Sequence, residues 1–379
     1  KSKNPLLWAV GRRYYYKGEL VATANKGNVL ELPKIVIENN KEQLKLDEID
    51  INAVIERNED ALFVLENDAI DVIEEVRDKY TNYPISVSFS GGKDSQSVLD
   101  LLTRVIPCED ITVIFSDTTL EHEYTYNSIE KTMNEYREKF PKLKFEIAKP
   151  VKTAIELFNE MGLPSRFHRW CTPVLKTAPY NNLINEIIDP DSKIIVFEGV
   201  RSEESPKRSK YKQIADSVTH TSVINARPIL YWNISEVYLY NYYRNLPLNH
   251  LYRYGLSRVG CELCPFSSEW SECIHSQLSD RFNNNYIPLI KEYAKNRGLT
   301  NEEDLNNFVK EGQWKKRAGG KGINSPSTIN FSQNLKSFKS VSINSNSDFL
   351  EWIKILGDLS FEEKDGKIIG ELNIDSNYR

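Results

Sequence analysis

What the chain lacks narrows its class. No stretch of its 379 residues approaches 18 consecutive apolar positions, so neither a membrane-spanning helix nor a membrane partner is expected. No secretory signal pattern is present either, which favours a cytoplasmic location. Neither sign of charge dominates. With 49 Lys and Arg against 54 Asp and Glu the net charge is −5, which gives no general case for nucleic-acid binding and leaves room only for a local basic patch. Cysteine is sparse. Cys108, Cys171, Cys261, Cys264 and Cys273 make an odd number with one Cys-x-x-Cys pair, which argues against a disulfide framework and for metal binding or redox chemistry. There is no internal repeat and no GxxxxGK[ST] of the Walker A kind.

What is present is an alternation of short apolar runs and amphipathic stretches. Strands are expected at 85–89, 111–115, 144–148 and 193–199, with helices at 94–106, 124–139, 151–160, 177–188 and 232–246. Strands separated by helices make a doubly wound α/β fold: a mainly parallel sheet with helices on both faces. Ligands in such sheets sit beyond the strand C-termini. Ser90, Ser116-Asp117 and Gly199-Val200-Arg201 all fall at that edge.

The flanks read differently. Residues 1–60 form a small β-rich cap, with a hairpin around Lys17-Gly18 and a further strand in VLELPKIVI. A helix at 59–80 leads into the central domain, 61–255. A cysteine-bearing, largely helical segment follows at 256–322. A Ser/Asn-rich linker opens the last part, 323–379, which ends in a small α+β extension with a helix in FLEWIKIL and a hairpin around Asp365-Gly366.

The sharpest local signal is Ser90-Gly91-Gly92-Lys93-Asp94-Ser95, set between a buried-type strand and an amphipathic helix. The glycines let backbone N–H groups approach an anion, and the helix N-terminus favours its charge. The serine hydroxyls add donors, Lys93 adds a cation at an exposed loop end, and Asp94 is placed to position Mg²⁺. Two glycines alone are an ordinary turn. The whole hexapeptide in this context reads as a phosphate loop.

This hexapeptide resembles the PP-loop of the adenine nucleotide alpha-hydrolase-like superfamily, which includes ATP pyrophosphatases, tRNA-thiolating enzymes and sulfonucleotide reductases. The likeness continues in order through FSDTTLEHEYTY (115–126), HRWCTPVLKTAPY (168–180), EGVRSEESPKRS (198–209) and residues 226–266. It is similar to phosphoadenylyl sulfate (PAPS) reductases over about 84–275. The resemblance implies cleavage of ATP between its α and β phosphates, with Lys93, Asp94 and Arg201 as catalytic residues. It also implies that Ser88, Ser90, Gly91, Gly92, Lys93, Asp94, Ser95, Asp117, Thr118, Lys176, Gly199, Arg201 and Arg208 hold ATP and Mg²⁺.

The cysteines form a second constellation. Cys261 and Cys264 stand at chelating spacing, Cys273 follows, and Cys171 lies upstream. Four thiolates suit zinc or a 4Fe–4S cluster, and reduced structural thiols are the plain alternative. The resemblance implies a 4Fe–4S cluster on Cys171, Cys261, Cys264 and Cys273, with zinc as the rival. Here the chain departs from the reductases. Their catalytic cysteine lies in Glu-Cys-Gly-Leu/Ile-His, whereas "ECIH" at 272–275 lacks the glycine, and Cys171-Thr172 stands where cluster-bearing reductases have Cys-Cys. If Cys273 is a ligand, only Cys108 remains, at the opposite end of the sheet.

The pattern is more similar to the ATP pyrophosphatases of DNA phosphorothioation, the Dnd/Ssp type. That implies adenylation of a phosphate acceptor, a DNA backbone first of all, followed by sulfur transfer. A cysteine desulfurase is then an expected partner, alongside other subunits of a modification complex. Two alternatives stay open: a PAPS/APS reductase releasing sulfite, and a non-catalytic nucleotide-binding subunit of a modification or defence complex. Weaker features have two readings each. EGQWKKRAGGKG (311–322) is a phosphate-backbone contact or a solvated loop, and the tyrosines of RRYYYKGE stack on bases or pack the cap. His168 and Arg169 lie near substrate or support the Cys171 sulfur.

Overall fold

In a computed structural model the described residues are 7–38, 50–189, 191–218 and 220–315, together with the backbone of four short strands beyond them. The chain divides into two compact units, Lys1–Ile290 and Lys291–Arg379.

The first unit begins with an antiparallel sheet in the order β1 (Trp8–Val10), β2 (Arg13–Tyr16), β3 (Glu19–Asn25) and β4 (Lys34–Ile37). Lys17 and Gly18 both take positive φ, 50° and 84°, which suits the right-handed twist of the hairpin expected there. The strand expected in VLELPKIVI is shorter than its apolar pattern. Asn28 and Glu31 bond each other's backbone in a turn, and Pro33 has no amide to offer a ladder, so pairing starts at Lys34. Two helices follow, α1 (Ile51–Glu56) and α2 (Glu59–Lys79).

The main sheet contains β5 (Ile85–Phe89), β6 (Ile111–Ser116), β7 (Lys144–Ala148), β8 (Ile194–Glu198), β9 (Ile214–Asp216) and β10 (Val223–Ala226). Their order is β7-β6-β5-β8-β10-β9, parallel throughout except for β9 on the edge. Strands buried on both faces read as unbroken apolar runs, as β6 and β8 do. One face carries α2, α3 (Lys93–Val105), α4 (Glu123–Lys139) and α7 (Ile234–Tyr243), whose Leu99, Leu102, Ile129, Val237 and Tyr240 share a core with Val87, Val113 and Phe197. On the other face Ile184 and Ile188 of α6 (Ala178–Ile187) and its C-cap pack on Ile114, Ile194, Val196 and Val223. The chain order leaves β5 and goes first to β6 and β7, then returns to β8 and β10 on the opposite side. That reversal is a switch point between β5 and β8, the place where an open α/β sheet leaves a crevice.

Helix starts follow their caps. Thr153 with Glu156 and Asn233 with Glu236 form capping boxes for α5 (Ala154–Met161) and α7. Beyond the sheet lie α8 (Glu269–Leu278) and α9 (Ile287–Lys295). In the second unit Asn301 caps α10 (Glu302–Lys310), and β11 (Ile329–Phe331) pairs with β12 (Phe338–Ser340). Those two strands fall inside the stretch expected to be a linker. The expected hairpin is present: β13 (Asp358–Lys364) pairs with β14 (Lys367–Asn373) down to Lys364 opposite Lys367. The helix expected in FLEWIKIL and residues 316–322 of the basic stretch 311–322 lie outside the described residues. No helix among the described residues is long and apolar enough to cross a membrane.

Candidate nucleotide and thiol site

The loop after β5 turns because Gly91 takes φ +68°, and a Cβ there would lie 2.7 Å from Cγ1 of Ile129. Gly91→Ala is therefore expected to cost about 1–3 kcal/mol and to weaken nucleotide binding. Urea denaturation and nucleotide titration measure the two effects. Gly92 is the N-cap of α3. The backbone amide of Lys93 donates to the Tyr252 hydroxyl at 3.1 Å. Ser90 and Ser95 hydroxyls bond each other at 3.1 Å, and Ser95 donates to the Gly92 carbonyl at 3.0 Å. At the end of β8 a Cβ on Gly199 would sit 2.6 Å from the Asp94 carbonyl carbon, so only glycine allows this close approach.

Lys93 was expected at an exposed loop end. Its side chain is instead 1% exposed. The ammonium lies 5.3 Å from the Tyr252 ring centroid and 5.8 Å from that of Tyr238, and it bonds Asp94 Oδ2 at 2.8 Å. Two aromatic faces and a carboxylate replace the water it loses. Arg201, also buried, donates from Nε to Asp94 Oδ1 at 2.6 Å and pairs with Glu203. Asp94 thus bridges two buried cations, and both its oxygens are engaged.

A cavity of about 630 Å³ opens beyond the C-terminal ends of β5, β6, β8 and β10. Ser88, Ser116, Lys176, Glu198, Arg208 and Arg227 line it. Three residues nominated from the sequence, Ser88, Lys176 and Arg208, are therefore on its wall. Burial raises the Glu198 pKa, although Arg227 Nε lies 3.1 Å away. Asp117 and Thr118 behave otherwise. Asp117 accepts from the Tyr126 hydroxyl at 2.7 Å and from the Thr119 amide at 2.8 Å, while Thr118 donates to Glu121 at 2.7 Å. Buried polar groups must be satisfied, and these side chains spend their bonding capacity inside the fold.

The thiol segment is clamped to that same turn. Cys261 forms a β-bridge with Glu121, and its Sγ lies 3.4 Å from Thr118 Oγ1. Arg166 donates to the Pro265 carbonyl at 3.1 Å, and Arg169 lies 4.6 Å over the Phe266 ring. Cys264 is in electrostatic reach of both Cys171, whose pKa burial raises, and Cys261. Loss of solvent, then the Glu121 carboxylate, pushes the Cys261 thiol up to about 12. Lys176 belongs to both places. It lines the cavity and feels Cys261 first, then Glu121 and Cys264, which hold its pKa above the usual value. A π-helical turn, Pro173–Thr177, sets it there.

Cys273 does not join them. It is fully buried in an apolar cluster with Ala24, Leu251, Leu256, Trp270 and Ile274. Of the four nominated thiols, Cys171, Cys261 and Cys264 are carried forward together, while Cys273 sits in the apolar cluster. Cys108 is a half-buried thiol before β6, at the other edge of the sheet, as expected. Among the described residues no three thiols lie within 4.8 Å of one another. A single zinc ion would hold them about 3.8 Å apart, from its Zn–S distance and tetrahedral angle.

One group of ligand-type atoms escaped the sequence reading. His122, Glu262 and His275 converge within 4.8 Å, all buried, with His122 Nε2, Glu262 Oε1 and His275 Nδ1 lacking partners among the described residues. Burial lowers His122 to about 4 and His275 to about 3. The Tyr124 amide donates to His122 Nδ1 at 3.0 Å, so the neutral ring carries its hydrogen on Nε2 and has no lone pair there for a metal. Three isolated residues from three segments give no motif to find. Nor do Tyr238 and Tyr252, which cage Lys93 from far along the chain.

A family model for the phosphoadenosine phosphosulfate reductase domain matches residues 84–267. An adenosine 5'-phosphosulfate reductase of Geobacillus sp. is 30% identical over 198 residues, 52% of this chain and 78% of that enzyme. The chain belongs to the phosphoadenosine phosphosulfate reductase domain family. An uncharacterized protein of Methanocaldococcus jannaschii is 31% identical over 267 residues, 69% of this chain, and the chain spans about half of that relative's length (52%). Among solved structures, PAPS reductase from Candida auris is 17% identical with a TM-score of 0.40, over 58% of this chain and 97% of that one. The family match begins one residue before β5 and ends just past Cys264, so it holds the switch-point loop, the cavity and four of the five cysteines.

Proposed function

We propose that the chain is an ATP pyrophosphatase that adenylates a phosphate acceptor, a DNA backbone phosphate in the first place, for sulfur insertion. The observation that carries this reading is Lys176, which lines the nucleotide-sized cavity and lies in reach of Cys261 and Cys264. An acceptor oxygen attacks the α-phosphorus, the α–β bond breaks, and pyrophosphate leaves with its pair of electrons. Lys176, Arg208 and the amides at the start of α3 stabilise the charge that develops, with Mg²⁺ as the expected counter-ion. A sulfur nucleophile, supplied by a partner such as a cysteine desulfurase, then displaces AMP and forms the P–S bond. Cys171, Cys261 and Cys264 are the residues that would hold a 4Fe–4S cluster, which when bound supplies a Lewis-acidic or redox-active iron site for sulfur.

A second reading is favoured by the named relatives: reduction of adenylyl sulfate with release of sulfite. It needs a cysteine able to reach a sulfonyl sulfur, and Cys273 is 0% exposed within an apolar cluster. The protein is therefore expected to form pyrophosphate and AMP from ATP when DNA and a sulfur source are present, and no sulfite from APS or PAPS with thioredoxin. Sulfite at a rate above that of pyrophosphate would select the reductase reading. Nucleotide affinity with neither product would select a non-catalytic subunit.

A further inference from the structure

Around the mouth of the cavity the charge is one-sided. Lys207, Lys210 and Lys212 line it from an exposed stretch, with Lys176 exposed as well and Arg208 and the buried Arg227 on the same wall. Its acids are Glu198 and Asp216, and each already has a cation: Arg227 at 3.1 Å and Lys193 at 3.0 Å. Arg208 pairs with Glu204. Among the described residues Lys207, Lys210 and Lys212 have no acidic partner within ion-pair distance. Such crowding of like charge is unfavourable unless an anion answers it, and it occurs in a chain whose net charge is −5.

A nucleotide does not account for all of these cations. Arg208 and Arg227 are less exposed on the same wall, and Mg²⁺ removes much of a triphosphate's charge. The three lysines stand outside that set, on one continuous stretch. The stretch contains a 3₁₀ turn, Arg208–Lys210, so its five residue steps span about 13 Å, the axial length of about four nucleotides of one strand. We propose that Lys207, Lys210 and Lys212 form a contact track for the phosphate backbone of a nucleic-acid strand, which they hold across the cavity mouth. The track delivers a phosphodiester to the nucleotide, and in that respect it rests on the adenylation reading. Binding itself does not depend on turnover.

The test uses the full chain and a fluorescein-labelled 20-nucleotide DNA strand, with RNA of the same sequence and poly-glutamate as further arms. Anisotropy is followed from 0.05 to 0.3 M salt. Each lysine–phosphate contact in a single strand adds about 0.7 to the salt slope, so Lys207→Ala/Lys210→Ala/Lys212→Ala should flatten it by about 2 and weaken binding about a hundredfold at 0.1 M salt. The triple Lys→Arg variant should keep both slope and affinity. ATP affinity, measured separately, should fall much less than strand affinity. Equal binding of poly-glutamate, no binding of either nucleic acid by the wild type, or an unchanged slope in the alanine variant overturns the track. Preference for RNA over DNA keeps the track and changes the acceptor. Pyrophosphate release is scored independently, so a protein that binds the strand but releases none sinks the adenylation reading and leaves the track standing.

Discussion

Asp94→Ala should destabilise the protein by about 3–5 kcal/mol, the range for removing one partner from a buried ion pair. The substitution leaves two cations without their carboxylate. Lys93 and Arg201 have side-chain exposures of 1% and 4%, so water cannot take over. Cation–π attraction from Tyr238 and Tyr252 offsets part of the loss for Lys93, by about 1–2 kcal/mol. Lys93→Met is the control. It fills similar volume, keeps Asp94 paired with Arg201, and should cost less than half as much. Urea unfolding at constant m-value separates the two. In the folded fraction Asp94→Ala should lose ATP turnover, because the turn that carries Ser90 and Ser95 is tied to Arg201 through Asp94; Lys93→Met should lose it through removal of the cation instead. An Asp94→Ala midpoint equal to that of the wild type would show that the bridge does not hold the loop.

Much of this arrangement was legible in the sequence, and the limits have physical causes. Burial on both faces demands apolar runs, which is why β6 and β8 declare themselves; β5 (ISVSF) and the edge strand β7 (KFEIA) show alternation instead, and 85–89 and 144–148 match them residue for residue. The phosphate loop is local: a glycine turn with positive φ between a strand and a helix can be read without knowing anything else. Long-range pairs are different. Asp94 and Arg201 come together only because β5 and β8 are neighbours at the switch point. The Lys93 cage has no local signature at all. Tyr252 reaches it from a 3₁₀ turn 159 residues later, and nothing in "NHLYRYG" indicates that one tyrosine faces a lysine. Reading Lys93 as exposed followed from its place in a loop motif, and tertiary packing overrode that.

Cysteine replacement should divide the five thiols into two groups. Cys171→Ser, Cys261→Ser and Cys264→Ser are each expected to lose most of the iron found after anaerobic purification. Cys273→Ser should keep it. Helical geometry gives the reason. Residues two apart on a helix point about 200° apart, so α8 cannot aim Cys273 and His275 the same way. His275 faces His122 and Glu262, next to the Cys261 segment, and Cys273 faces the cluster of Ala24, Leu251 and Trp270 against the N-terminal strands. A serine there puts a hydroxyl into apolar surroundings. It can donate to the carbonyl one turn back, which limits the cost to about 1–2 kcal/mol. The Cys273→Ser protein should then unfold at lower urea while carrying wild-type iron and labile sulfide per chain. The other three should show the reverse: small changes in metal-free stability and little or no metal. Cys273→Ser protein that keeps its urea midpoint but loses iron would restore Cys273 to the ligand set, and would require α8 to turn by about half a revolution when the metal binds.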